Sequence, residues 1–201
     1  LDDLHKRGIK NILAMRGDRS EEYGLTDFQH ASELIKFIRE RGGFKIFAAC
    51  YPEKHIEAPS MKEDIFHLCE KVQNGADVLI SQLFFDNAFF YSFRDKIREA
   101  GIDIPLEAGI MPVTSASQIK RMVLMCGASI PYGLRRMIEA YGHNSMAMKE
   151  AGIAYATAQI VDLLANGVEG IHLYTMNQPD IAKRIAESVR GILYSLRVKR
   201  G

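Results

Sequence analysis

The sequence has few cysteines, no long apolar run, no excess of charge of either sign and no glycine-rich nucleotide fingerprint. Its three cysteines, Cys50, Cys69 and Cys126, are odd in number and far apart. They show no metal-ligand spacing and no disulfide framework, so a cytoplasmic protein without a bound metal is expected. No segment is long and apolar enough to span a bilayer. The 26 basic and 25 acidic residues are interspersed and sum to a net charge of +1, which leaves no global field to attract nucleic acid or an anionic membrane.

What is present is an ordinary globular composition: 201 residues, 47% hydrophobic and 25% charged, enough to bury a sizeable core. One domain over residues 1–201 is expected. Apolar runs rich in Ile, Val, Phe and Leu recur at residues 11–15, 45–51, 77–85, 105–113 and 170–176 and read as five strands. Between them the apolar residues fall at three- and four-residue intervals. In "ASELIKFIRERGG", Leu34, Ile35 and Ile38 share one face and the glycines give a stop signal. "SMKEDIFHLCEKVQNGA", "NAFFYSFRDKIREAGI" and "SASQIKRMVLMCGA" repeat the pattern. The longer stretch before the fifth strand is expected to form two helices parted near residues 142–144.

Repeated βα units predict parallel strands joined by right-handed crossovers. Polar Ser81 and Gln82 within the third apolar run, and the missing nucleotide fingerprint, favour a barrel over an open doubly wound sheet. A (β/α)8 barrel usually takes about 250 residues. The fold class expected is therefore α/β, a (β/α)8 TIM barrel of which the chain covers the last five βα units, with the first three lying outside it.

Barrel active sites form at the C-terminal ends of the strands. Those ends read Arg16-Gly17-Asp18, then "CYPEKHIEA", "SQLFFD", "GIMPVTSASQ" and "YTMNQPD". They supply a carboxylate, a tyrosine with a histidine four residues on, amides at Gln82 and Gln118, and an Asn-Gln pair. An adhesion reading of Arg-Gly-Asp is set aside, because the tripeptide abuts a hydrophobic run.

The ordered set "LAMRGD", "HASELIKFI", "AACYPEKHIEA", "KVQNGADVLISQLFFD", "GIMPV" and "LYTMNQ" resembles the methylenetetrahydrofolate reductase family. The resemblance implies a barrel carrying noncovalent FAD. Through it, hydride passes from NADH or NADPH to 5,10-methylenetetrahydrofolate, giving 5-methyltetrahydrofolate. It implies an oxidoreductase acting on CH-NH donors in one-carbon metabolism and methionine biosynthesis, and a homo-oligomer is expected.

Residue by residue, the resemblance implies that Arg16 and Gly17 line the flavin. Asp18 would be the catalytic residue, lying between the flavin's pyrimidine edge and the pterin. A carboxylate there can hydrogen-bond the amino-pyrimidine and stabilise the cationic iminium formed when the methylene bridge opens. Its charge would also lower the flavin's reduction potential. His30, Ala31, Tyr51, His55, Glu57, Ala58, Asp64 and Lys71 carry over as further cofactor positions. Gln82, Gln118 and Gln178 join Asp18 as substrate positions.

Each has a plainer competitor. Tyr51 can anchor its loop, His55 can bond its loop, Asp64 and Lys71 can sit on a solvated face, and Asp18 can cap a loop. Gln82, placed inside an apolar strand, demands partners, because an unpaired buried amide is costly. Four positions depart from the family pattern: His30 for tyrosine, His67 for asparagine, Glu70 for arginine and Gln178 for arginine. The family's general-acid glutamate belongs to a first strand that is not in this sequence. The rival expectation is a noncatalytic or truncated barrel subunit that has lost flavin chemistry. The isolated 201-residue chain is expected to show little reductase activity, since a partial barrel exposes unpaired sheet edges. An aldolase would need a strand lysine, and Lys45 stands only at a strand start.

Overall fold

Helices and strands alternate along the chain as the apolar periodicity requires. The computed structural model describes residues 1–17 and 27–200, with side chains through residue 198. After a short α1 (Asp2–Lys6), the order is β1 (Asn11–Ala14), α2 (Ala31–Arg41), β2 (Lys45–Cys50), α3 (Met61–Gln73), β3 (Val78–Ser81), α4 (Asn87–Glu99) and β4 (Leu106–Ile110). Three helices follow in succession, α5 (Ala116–Cys126), α6 (Tyr132–Tyr141) and α7 (Ser145–Ala165), before β5 (Gly170–Leu173) and α8 (Pro179–Arg200). The expected break near residues 142–144 is therefore the α6–α7 junction.

Local chemistry sets several helix starts. Ser60, Asp86, Ser115 and Asn144 each stand at an N-cap, and their side-chain oxygens accept first-turn backbone N–H groups at Glu63, Ala88, Gln118 and Met146. Such caps satisfy donors that the helix itself cannot.

All five strands are parallel and pair in the order β1-β2-β3-β4-β5. A doubly wound sheet reverses its strand order at a switch point. This sheet never does, so it is an arc of the barrel type. Register follows from period-two alternation. Ala14, Ile46, Ala48, Cys50, Leu79, Leu106, Ala108 and Ile110 pack in one core with helix residues such as Ile35, Phe90, Phe93, Ile160 and Ile185. Leu13, Phe47 and Ala49 alternate with these, and Leu13 is 41% exposed. A second core lies beyond the β3 and β4 ends, where Leu83, Phe85, Met111 and Val113 meet Ile119, Leu134 and Met148.

All five strands are shorter than the apolar runs that announce them, β3, β4 and β5 by three residues or more. Beyond Ser81 the backbone carbonyls go to α7 rather than to a ladder: Tyr155 Oη donates to Phe85 O at 2.7 Å and Gln159 Nε2 to Phe84 O at 3.4 Å. Residues 111–113 leave the sheet to fill the second core. After β5, Met176 and Asn177 take φ values of +50° and +58°, which no strand continues through. No described helix is long and apolar enough to cross a membrane.

Candidate active site

Parallel pairing brings the C-terminal ends of β1, β2 and β3 side by side, with Ala14 opposite Ala48 and Cys50 opposite Ser81. The loops leaving β1 and β2 meet there. Arg16 makes a bidentate ion pair with Glu57, Nη1 to Oε2 at 3.0 Å and Nη2 to Oε1 at 3.2 Å. Gly17 follows at a φ of +80°, and among the described residues nothing lies within 4 Å of a Cβ placed on it. Asp18 lies outside the described residues.

Tyr51, the first residue past β2, packs edge-on against His55 with ring centroids 4.5 Å apart. Lys71 Nζ stands 5.6 Å from the tyrosine ring and donates to Ala49 O at 2.9 Å. His55 N donates to Asp64 Oδ2 at 3.0 Å, and Glu57 N donates to His55 Nδ1 at 3.1 Å. An Nδ1 that accepts leaves the ring proton on Nε2. Ala58 N closes the turn onto His55 O. Arg16, Tyr51, His55, Glu57, Ala58, Asp64 and Lys71 thus form one connected group.

Burial governs the electrostatics. It draws His55 below its ordinary 6.5 and Lys71 below its usual range, because a half-buried cation loses hydration. Burial, reinforced by Asp64, pushes Tyr51 up to about 12. The Cys50 thiol is raised by burial and stays protonated.

The side chains of the remaining candidates make no hydrogen bond to this group among the described residues. Gln82 sits just past β3, not inside it: its N–H donates to Cys50 O at 2.7 Å and its Oε1 accepts from Leu83 N at 2.9 Å. Its side-chain oxygen is thus partnered within its own loop rather than by a neighbouring strand, and the expected position inside the strand is corrected to one just past its end. Gln118 Oε1 accepts from both Thr114 N and Thr114 Oγ1, at 3.1 and 3.0 Å. Gln178 O accepts from Ile181 N at 3.2 Å as α8 begins. His30 precedes α2, with Glu33 Oε2 accepting its N–H at 3.2 Å, and Ala31 opens that helix.

The structure adds residues that single-sequence reasoning passed over. Lys54 braces the β2–α3 loop, donating Nζ to Ala58 O at 2.6 Å. Glu53 accepts the Ser129 N–H with both carboxylate oxygens. Tyr174 Oη donates to Ser81 O at 3.0 Å, its ring lying where a Cβ on Gly109 would go. Only glycine fits at position 109, and burial pushes the Tyr174 phenol up to about 12. A tyrosine three residues before the "NQ" pair was the available signal for it. Among the described residues, no group of three or more His, Cys, Asp or Glu side chains is placed to hold a metal ion.

The family model described as methylenetetrahydrofolate reductase matches residues 1–190. A 5,10-methylenetetrahydrofolate reductase from Pectobacterium carotovorum subsp. carotovorum is 32% identical over 93% of this chain and 62% of its own length. The Escherichia coli enzyme of the same name is 33% identical over 93% of this chain and 63% of its own. Methylenetetrahydrofolate reductase (NADH) 1 of Arabidopsis thaliana is 35% identical over 98% of this chain and 35% of its own. The chain thus spans about three fifths of the bacterial relatives. Among solved structures, an uncharacterized Clostridium thermocellum protein that binds two copies of 5-methyl-5,6,7,8-tetrahydrofolic acid shares the fold. Its TM-score is 0.59 at 14% identity, over 90% of this chain and 63% of that one. With residues 1–190 matched by that family model and its strand-end residues gathered at one edge of a parallel arc, the chain belongs to the methylenetetrahydrofolate reductase family.

Proposed function

We propose that the protein containing this chain reduces 5,10-methylenetetrahydrofolate to 5-methyltetrahydrofolate in the cytoplasm, using FAD and NADH or NADPH. The observation that carries this reading is the connected group running from Arg16 through Glu57, His55 and Tyr51 to Lys71.

Its chemistry fits a flavin. Tyr51 supplies an aromatic surface and His55 an Nε2 proton donor. Arg16 and Lys71 bring positive charge offset by Glu57 and Asp64, and Gly17, with no side chain and a φ of +80°, lets backbone approach a flat ring closely. When bound, FAD supplies a relay that accepts a hydride from the nicotinamide and returns it to the folate. The protein's own work is positional. The Arg16 to Glu57 fork holds the β1 and β2 loops together. Tyr51 and His55 hold each other edge-on, and Asp64 holds the His55 backbone. Gln82 presents an amide beside that group, with Leu83 N fixing its oxygen and leaving the Nε2 end for the pterin. Asp18 supplies the carboxylate that binds the amino-pyrimidine and steadies positive charge on the opening substrate.

A second reading, a scaffold without flavin chemistry, is favoured by one observation: Glu70 puts a carboxylate on α3, paired with His67, where the family pattern has an arginine. A visible spectrum of the purified full-length protein separates the two. Released FAD, bleaching by NADH or NADPH and recovery on adding 5,10-methylenetetrahydrofolate support the reductase. A folded, colourless protein that cannot be reconstituted supports the scaffold.

A further inference from the structure

The loop from Tyr51 to Ala58 is braced as a single body. Lys54, held at the unusual φ of +70°, sends Nζ to both Ala58 O and His55 O. His55 N is tied to Asp64, and Glu57 N to His55 Nδ1. Two carboxylates of this loop reach out of it, Glu57 to Arg16 on the β1 side and Glu53 to the connection between α5 and α6. Both oxygens of Glu53 accept the Ser129 N–H, at 3.1 and 3.0 Å, across 76 residues of sequence.

Ser129 belongs to the connection between α5 and α6. Its neighbour Ala128 is buried at 3% exposure, in the core shared with Ile119, Met111 and Leu134. A displacement of Ser129 is therefore felt by α5, the helix that carries Gln118. A backbone N–H that donates to an ionised carboxylate makes a stronger and shorter bond than one that donates to a neutral acceptor. In this exposed position it does more to fix the relative placement of two loops than to stabilise the fold.

We propose that Glu53 is a positioning residue that couples the two halves of the site: seating of the cofactor against the Tyr51 loop orders the α5–α6 connection on the folate side. The inference rests on the flavin reading above. It deepens that reading by naming the link through which cofactor and substrate sites would favour each other.

The test is amide hydrogen exchange on the full-length protein, with and without FAD, in the wild type, Glu53→Ala and Glu53→Gln. In the wild type, FAD slows exchange over residues 51–58 and also at residues 127–131, by about tenfold at Ser129. Glu53→Ala keeps the slowing over 51–58 and loses it at 127–131. Glu53→Gln, which retains one acceptor oxygen, restores an intermediate slowing and carries the test by itself if Glu53→Ala does not fold. FAD-dependent slowing at 127–131 that is equal in all three proteins overturns the proposal. So does faster exchange at Ser129 that is the same with and without FAD, the behaviour of a merely structural clamp. A colourless sample with no slowing over 51–58 instead overturns the flavin reading, and the coupling with it.

Discussion

His67 Nδ1 lies 2.8 Å from Glu70 Oε2, three residues apart on α3, with both side chains substantially exposed. Two positions that depart from the family pattern thus answer each other. A solvated pair of this kind contributes little to stability, so its consequence falls on binding. Glu70→Arg is expected to raise FAD affinity about tenfold by adding positive charge near the phosphates, with the melting temperature almost unchanged. Titration by flavin fluorescence quenching checks it, and unchanged affinity would place the phosphates away from this face of α3.

The Arg16 to Glu57 fork should be sensitive to shape as well as charge. Arg16→Lys keeps the cation and loses the bidentate geometry that joins the β1 and β2 loops. The expected result is about a tenfold loss of FAD affinity, with a smaller loss for Glu57→Gln. Equal affinity of Arg16→Lys and wild type would mean that the fork does not shape the cofactor site.

Stability should depend on pH through His55. Its folded-state value lies below the ordinary 6.5 because of burial. Between those two values the unfolded chain binds more protons than the native one, so native stability falls as pH drops below 6.5 and levels off under the folded value. His55→Gln should flatten that part of the profile. Urea unfolding midpoints measured through this interval decide it, and an unchanged slope would assign the dependence to other groups.

Gly152 lies inside α7, where alanine would ordinarily add about 1 kcal/mol. Here a Cβ would collide with the backbone of Val113. Gly152→Ala should therefore destabilise, by about 2 kcal/mol, and the reversal of sign is the diagnostic. A variant that melts at or above the wild-type temperature would show that α7 can shift away from the end of β4.

The order of strands and helices was legible because binary patterning and glycine stop signals are local: Leu34, Ile35 and Ile38 share one face and the glycines after Arg41 end α2. The strand-end positions were legible for the same reason, each falling where an apolar run meets a polar loop. The partners were not. Gln82 and Gln118 turn back on Leu83 and Thr114, choices of rotamer that composition does not encode. Lys71 looks like a solvated helix residue until the fold brings Ala49 O within 2.9 Å. Glu53 and Ser129 are joined across 76 residues, a separation no periodicity reports. The ends of the strands were overrun because apolar residues serve a second core as readily as a sheet, as Leu83, Phe85 and Met111 do.

The uninterrupted strand order also shapes how the chain acquires its structure. Asn11 pairs with Lys45, Phe47 with Val78 and Leu79 with Leu106, so each of the first three pairings closes a loop of one helical unit. The last joins Glu107 to Gly170 across α5, α6 and α7. Loop-closure entropy grows with the length enclosed, and non-local pairings form slowly. During synthesis the first four strands can therefore zip in the order they leave the ribosome. Docking of β5 waits for three helices to assemble, which makes it the late event of folding.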